Sequence, residues 1–230
     1  MSARVLVTGG ASGIGRAIAE RCVQDGYEPI ILDKQDADIV VDLASPSATE
    51  DALSKAVRGG DIHRLVNNVG IVRAGTLSEI TVEDLEAAVS VNIRCAIQCM
   101  QALSPHMQRQ GFGRVVNISS RTILGKPGRS VYAGTKAALV SMTRTWALEL
   151  GRHNVTVNAI APGPIDTTLF RDANSELDRE EFATSVPVGR VGLPADIANA
   201  ASFFLGEDAG FVTGQVLFVC GGTSLPSLAF

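Results

Sequence analysis

The run Val5-Leu6-Val7-Thr8-Gly9-Gly10-Ala11-Ser12-Gly13-Ile14-Gly15 constrains this chain more than any other stretch. A β-rich apolar run passes directly into a turn holding Gly9, Gly13 and Gly15, and a helical pattern follows to about Gln24. Glycines so placed allow a tight turn and close approach of a ligand to the backbone, and the helix N-terminus beyond them favours a pyrophosphate. The glycines alone are a weak signal; the strand before and the helix after them make it a strong one.

The second strand pattern ends in an acid, Asp33, 18 residues beyond Gly15. A carboxylate there accepts hydrogen bonds from the ribose diol of an adenosine and repels a 2′-phosphate, which favours NAD over NADP. Lys34 next to it partly offsets that charge.

Short β-rich runs alternate with helical patterns along the whole chain. The strand patterns are Arg4–Thr8, Pro29–Asp33, Ile39–Asp42, Arg64–Asn67, Gly113–Ser119, Asn154–Ile160 and Gln215–Val219. The helical patterns are Gly13 to Gln24, Pro46 to Val57, Thr81 to Met107, Val131 to Leu150 and Pro194 to Leu205. This order predicts βαβ units with right-handed crossovers, an α/β, Rossmann-type doubly wound and mostly parallel seven-stranded sheet, and one domain over residues 1–230. Only five residues separate Asp33 from Ile39, whereas a crossover with its helix needs at least ~10. The helix after the second strand is therefore expected to be missing. The polar, weakly helical stretch Asp166–Val191 follows the end of a strand, where such sheets place their ligands, and is expected to form a substrate lid opened by Leu169 and Phe170.

A net charge of −4 with no long basic run argues against nucleic acid or anionic lipid as a partner. No apolar run approaches the ~20 residues of a membrane span, and the strand pattern beginning at Arg4 leaves no room for a signal peptide. Cys22, Cys95, Cys99 and Cys220 contain no CxxC pair, so reduced thiols and a cytoplasmic location are expected. Cys95 and Cys99 share a helix face without a nearby histidine or third thiol, so they are read as core or interface residues, and no metal site is expected.

Tyr132 and Lys136 lie four residues apart and so on one helix face. The Lys136 ammonium is expected near the Tyr132 phenol, lowering a pKa that is ~10 in a free tyrosine. A phenol shifted in this way can pass a proton to or from a substrate oxygen.

With these residues in place, the chain strongly resembles the short-chain dehydrogenase/reductase family over essentially its whole length. Thr8-Gly9-Gly10-Ala11-Ser12-Gly13-Ile14-Gly15 is similar to the family's TGxxxGxG motif, and Asn67-Asn68-Val69-Gly70 to its NNAG. Asn92 looks like its helix asparagine. Asn117-Ile118-Ser119-Ser120 with Tyr132 and Lys136 resembles its Ser-Tyr-Lys centre, and Pro162-Gly163-Pro164-Ile165-Asp166-Thr167 its PG loop. The resemblance implies that Tyr132 is the general acid/base and that Lys136 binds the nicotinamide ribose. It also implies that a serine polarises the substrate oxygen and that Asn92 holds a water leading to Lys136. Ser12, Ile14, Asp33, Asp42, Leu43, Asn68 and Gly70 would line the dinucleotide, with Pro162, Gly163, Ile165 and Thr167 around the nicotinamide.

The serine is ambiguous. The 13-residue spacing to Tyr132 selects Ser119, and the strand register selects Ser120; only one of the two can face the site. Ser120 is preferred, with one residue deleted before Gly125. Arg121 should alternate away from the site, and a role at an anionic substrate group is the lesser reading. Cys220-Gly221-Gly222 stands where the family commonly has Asp-Gly-Gly, which has no mechanistic reading from sequence.

The expected activity is NAD(H)-dependent hydride transfer between the nicotinamide and a secondary alcohol or ketone, a small-molecule substrate. The rival readings are an NADPH-dependent 3-oxoacyl-thioester reductase and a non-catalytic NAD(H) sensor. The resemblance further suggests a homotetramer or dimer built on the helices Thr81–Met107 and Val131–Leu150.

Overall fold

A computed structural model describes residues 2–172 and 182–225, the side chains of Leu169 and Asp172 excepted. Seven strands form one sheet in the order β3-β2-β1-β4-β5-β6-β7. They are β1 (Arg4–Thr8), β2 (Glu28–Asp33), β3 (Ile39–Val40), β4 (Arg64–Asn67), β5 (Gly113–Ile118), β6 (Val155–Pro162) and β7 (Val216–Val219). Every adjacent pair is parallel, the doubly wound Rossmann arrangement. The strand order reverses between β1 and β4, and the crevice above that point is where such sheets bind ligands.

The β-strand period of two assigns the core. Along β1, Val5 and Val7 enter one apolar layer with Ile18 and Cys22 of α1 (Gly13–Gln24) and Ile197, Ala201 and Phe204 of α7 (Pro194–Leu205). Leu6 between them enters the other layer, with Leu53 of α2 (Pro46–Arg58), Leu103 of α4 (Cys95–Gln110) and Ala147 of α5 (Ser130–Leu150). Burial on both faces explains the unbroken Val/Ile/Leu runs of the central strands. Cys95 and Cys99 are fully buried in the second layer.

The helix between β2 and β3 is missing, as the five-residue spacing requires. Residues 34–38 turn back directly, with Asp36 at φ 47, and Leu32 pairs with Ile39. The Asp38 carboxylate accepts from the Ile31 N–H at 2.8 Å, satisfying a donor near the sheet edge. Without that helix a cavity of about 400 Å³ opens beside α1, lined by Gly10, Val23, Pro29 and Ile31.

The helical pattern Thr81–Met107 is not one α-helix. It comprises α3 (Val82–Val89), a π-helical turn Ser90–Arg94, and α4. Thr81 caps α3 with a reciprocal Thr81–Asp84 capping box. The π turn contains Asn92, and such wide turns inside helices recur at functional sites.

Of the stretch 166–191 expected to be a lid, residues 173–181 lie outside the described residues. The described flanks are α6 (Thr168–Asp172) and a helical turn at residues 182–185.

Candidate active site

A cavity of about 860 Å³ opens at the carboxyl ends of the central strands. It joins the glycine turn after β1 to Ser120, Tyr132 and Lys136 and to the loop after β6.

The glycine turn is built for a phosphate. A Cβ on Gly15 would lie 2.0 Å from the Gly9 carbonyl oxygen and 2.5 Å from Asn68 Nδ2, so no side chain fits there. Ser12 is the N-cap of α1, and its hydroxyl makes no capping bond, which leaves it and the first-turn N–H groups free for an anion. Asn68 latches the turn. Its amide donates to the carbonyls of Thr8 at 3.0 Å and Gly9 at 2.9 Å, while the Thr8 hydroxyl accepts from the N–H groups of Asn68 and Val69. Across the cavity Thr167 lies 3.3 Å from where a Gly13 Cβ would be. This cradle fits a dinucleotide pyrophosphate.

Asp33 lines the same cavity at the end of β2. Its carboxylate accepts from the N–H groups of Ala11 at 3.0 Å and Lys34 at 2.7 Å. The Lys34 ammonium points instead to Asp42, at 3.3 Å. The Ala44 N–H, and then Lys34, hold the Asp42 carboxyl below its ordinary pKa. Asp42 and Leu43 do not line the cavity. Leu43 is buried in the core, and β3 pairs only through Ile39 and Val40, short of the expected Asp42, because β2 ends at Asp33.

At the other end, β5 finishes at Ile118 and α5 begins at Ser130. The Lys136 ammonium is buried and donates to the Ile118 carbonyl at 2.8 Å. Desolvation pulls its pKa down to about 8. Its Nζ is 5.8 Å from the centre of the Tyr132 ring. Burial raises the Tyr132 pKa, while Ser120 and the charge of Arg129 pull it back. The expected lowering by Lys136 is therefore absent: burial dominates, and the ammonium is directed to a main-chain carbonyl.

The two serines have different partners. Ser119 is buried and donates to the Lys136 carbonyl at 2.9 Å. The Ser120 hydroxyl accepts from the Thr122 hydroxyl at 3.0 Å and interacts with Tyr132.

Asn92 is buried behind the cavity. Its side-chain oxygen accepts from the Ile71 N–H at 2.8 Å, and its amide donates to the Ile71 carbonyl and Thr135 hydroxyl, both at 3.0 Å. Gly70 passes between this amide and Lys136: a Cβ there would lie 3.1 Å from the ammonium. The end of β6 and the loop after it bring Pro162, Gly163, Ile165 and Thr167 to the cavity. A Cβ on Gly163 would lie 2.7 Å from Cys220 Cα, so the Cys220 turn closes against this loop.

The lining also holds residues that the sequence reading leaves out of the site, or places there only as the lesser reading, as it does Arg121. Arg121 lines the cavity, because the strand has already ended and residues Arg121–Leu124 form a 3₁₀ turn to which strand alternation does not apply. Lys126 and Arg129 join it, a cluster legible as three cations within nine residues. Phe182, Pro187, Thr223 and Leu225 come from distant sequence and carried no local signal.

Fold and cavity together define a dinucleotide-binding oxidoreductase. A family model described as enoyl-(acyl carrier protein) reductase matches residues 9–224. The chain is 39% identical to (2S)-[(R)-hydroxy(phenyl)methyl]succinyl-CoA dehydrogenase subunit BbsD of Thauera aromatica, covering 96% of each. It is 35% identical to the 3-oxoacyl-[acyl-carrier-protein] reductase FabG of Thermotoga maritima, over 94% of this chain and 96% of that one. The ligand-free aldohexose dehydrogenase of Thermoplasma acidophilum superposes with a TM-score of 0.94 at 30% identity, covering 100% of this chain and 96% of that one. The chain belongs to the short-chain dehydrogenase/reductase family. It is an oxidoreductase acting on CH–OH or C=O groups with a nicotinamide cofactor. Among the described residues no helix is long and apolar enough to cross a membrane.

Proposed function

We propose that the protein interconverts a secondary alcohol and its ketone using NAD(H), with Tyr132 as general acid/base. The observation that carries this reading is the opening of Ser120, Tyr132 and Lys136 into one cavity with the glycine turn and Asp33. Held by the glycine turn and Lys136, a nicotinamide cofactor would supply the hydride acceptor or donor for the substrate carbon. In oxidation Tyr132 removes the hydroxyl proton while the Ser120 hydroxyl holds the oxygen; in reduction Tyr132 returns the proton. Lys136 and Ser12 would hold ribose and phosphate, and Asn92 positions the loop at Gly70 and Ile71. The proton lost by the alcohol passes to Tyr132 and then to solvent, so the reaction balances as alcohol plus NAD⁺ giving ketone, NADH and a proton.

Asp33 supports NAD over NADP, since the nearby Lys34 is paired with Asp42. The dehydrogenase named for a hydroxy(phenyl)methyl succinyl-CoA acts on a secondary alcohol of the class proposed here. The test is single-turnover transfer from NADH to a panel of ketones: transfer to at least one supports the reading, and binding of NADH without transfer to any supports a sensor.

A further inference from the structure

The charges lining the cavity are separated. Asp33 is the sole carboxylate among the described lining residues and stands at β2, while Arg121, Lys126 and Arg129 gather beyond β5. Three strand steps, β2-β1-β4-β5, put these ends about 14 Å apart at ~4.8 Å per step. Among the described residues none of the three cations has a carboxylate partner. Arg121 donates to the Thr223 carbonyl at 3.2 Å and Arg129 to the Gly128 carbonyl at 2.9 Å. Each guanidinium carries five donors, so most remain for a ligand. Although Lys126 keeps much of its surface in solvent, desolvation and the charges of Arg129 and Arg121 lower its pKa. Like charges left together in a cavity favour an anionic occupant.

The cofactor pyrophosphate does not meet this need, because the glycine turn lies over β1, two strand steps from β5. Arg129 is close enough for its charge to act on the Tyr132 phenol, so an anion held there sits beside the reacting oxygen. Phe170 and Phe182, in edge contact at 5.7 Å, supply an apolar wall, and the Lys126 ammonium is 5.5 Å from the Phe182 ring centre.

We propose that Arg121, Lys126 and Arg129 form an anion subsite, and that the substrate is a secondary alcohol or ketone bearing a carboxylate or phosphate. The inference rests on the hydride-transfer reading above and narrows its substrate class.

The test compares matched probes: acetoacetate and benzoylacetate against their methyl esters, and oxobutyl phosphate against oxobutanol. Binding to the protein–NADH complex is read by nicotinamide fluorescence, and turnover is read separately. At least one anion is expected to bind tenfold or more tightly than its neutral partner, the carboxylate and phosphate arms showing which group is preferred. Lys126→Glu and Arg121→Met should each narrow that ratio tenfold or more; a merely structural effect would weaken both members of a pair alike. Absence of anion preference in every pair, or an unchanged ratio in both variants, overturns the subsite. Anion-selective binding without turnover keeps the subsite and removes the hydride-transfer reading; turnover with equal binding of charged and neutral probes does the reverse.

Discussion

The Ser119 hydroxyl donates to the Lys136 main-chain carbonyl at 2.9 Å, fastening the end of β5 to the helix that carries Tyr132. That bond occupies the Ser119 hydroxyl and supports Ser120 as the proposed substrate-facing serine. Ser119→Ala is expected to lower stability by about 0.5–1.5 kcal/mol, the worth of one hydrogen bond, with hydride transfer retained. Ser120→Ala should lower kcat by ~10²-fold, the scale for losing one oxyanion donor, with little change in stability. Thermal melts and turnover of both variants check the assignment; the opposite pattern would make Ser119 the catalytic residue.

Burial of Lys136 makes stability depend on pH. Its folded pKa of about 8 lies below the ~10.4 of an unfolded lysine. Between those values the unfolded chain binds more protons than the folded one, so stability rises with pH. Below about pH 8 both states are charged and the full burial penalty applies. Wild type should therefore gain stability relative to Lys136→Met between about pH 8 and 10, at up to ~1.4 kcal/mol per unit. Parallel denaturation curves across that range, with no differential gain, would show that the ammonium is not desolvated.

With Tyr132 as the proposed general acid/base, its raised pKa should give the two directions opposite pH dependence. Alcohol oxidation needs the phenolate and should accelerate as pH rises above neutral. Ketone reduction needs the phenol and should stay level until the same pKa is approached. Initial rates in both directions over a common pH series check this, and parallel profiles would assign the proton to another group.

Much of the fold could be read from sequence because each βα unit carries its own signal. The five residues between Asp33 and Ile39 announced the missing helix by length alone. Asn92 lay inside a helical pattern, but periodicity cannot distinguish a π turn from an α turn one residue narrower. Arg121 was turned away from the site by strand alternation carried past the end of β5. The Tyr132–Lys136 spacing identified the pair, yet not its electrostatics: desolvation comes from the surrounding tertiary structure, and the Ile118 carbonyl that draws the ammonium lies 18 residues away. Phe182 and Leu225 reach the cavity only through the completed fold.

Asp33 should select the cofactor. Fluorescence titration is expected to give at least tenfold tighter binding of NADH than NADPH, about 1.4 kcal/mol, and Asp33→Ala should erase the preference. Equal or reversed affinities would mean that Lys34 leaves Asp42 to meet the 2′-phosphate, favouring an NADPH-dependent 3-oxoacyl-thioester reductase.

Val82, Leu85 and Val89 on α3 and Leu148 on α5 are exposed apolar residues, which suits association through these helices. Sedimentation at micromolar concentration is expected to give a dimer or tetramer; a monomer would refute it.

The central claim is proton transfer by Tyr132, and single-turnover hydride transfer in Tyr132→Phe tests it most directly. The account predicts a loss of at least ~10²-fold, the general acid–base scale, with NADH affinity changed by no more than a few-fold. Near-normal transfer in that variant would contradict it.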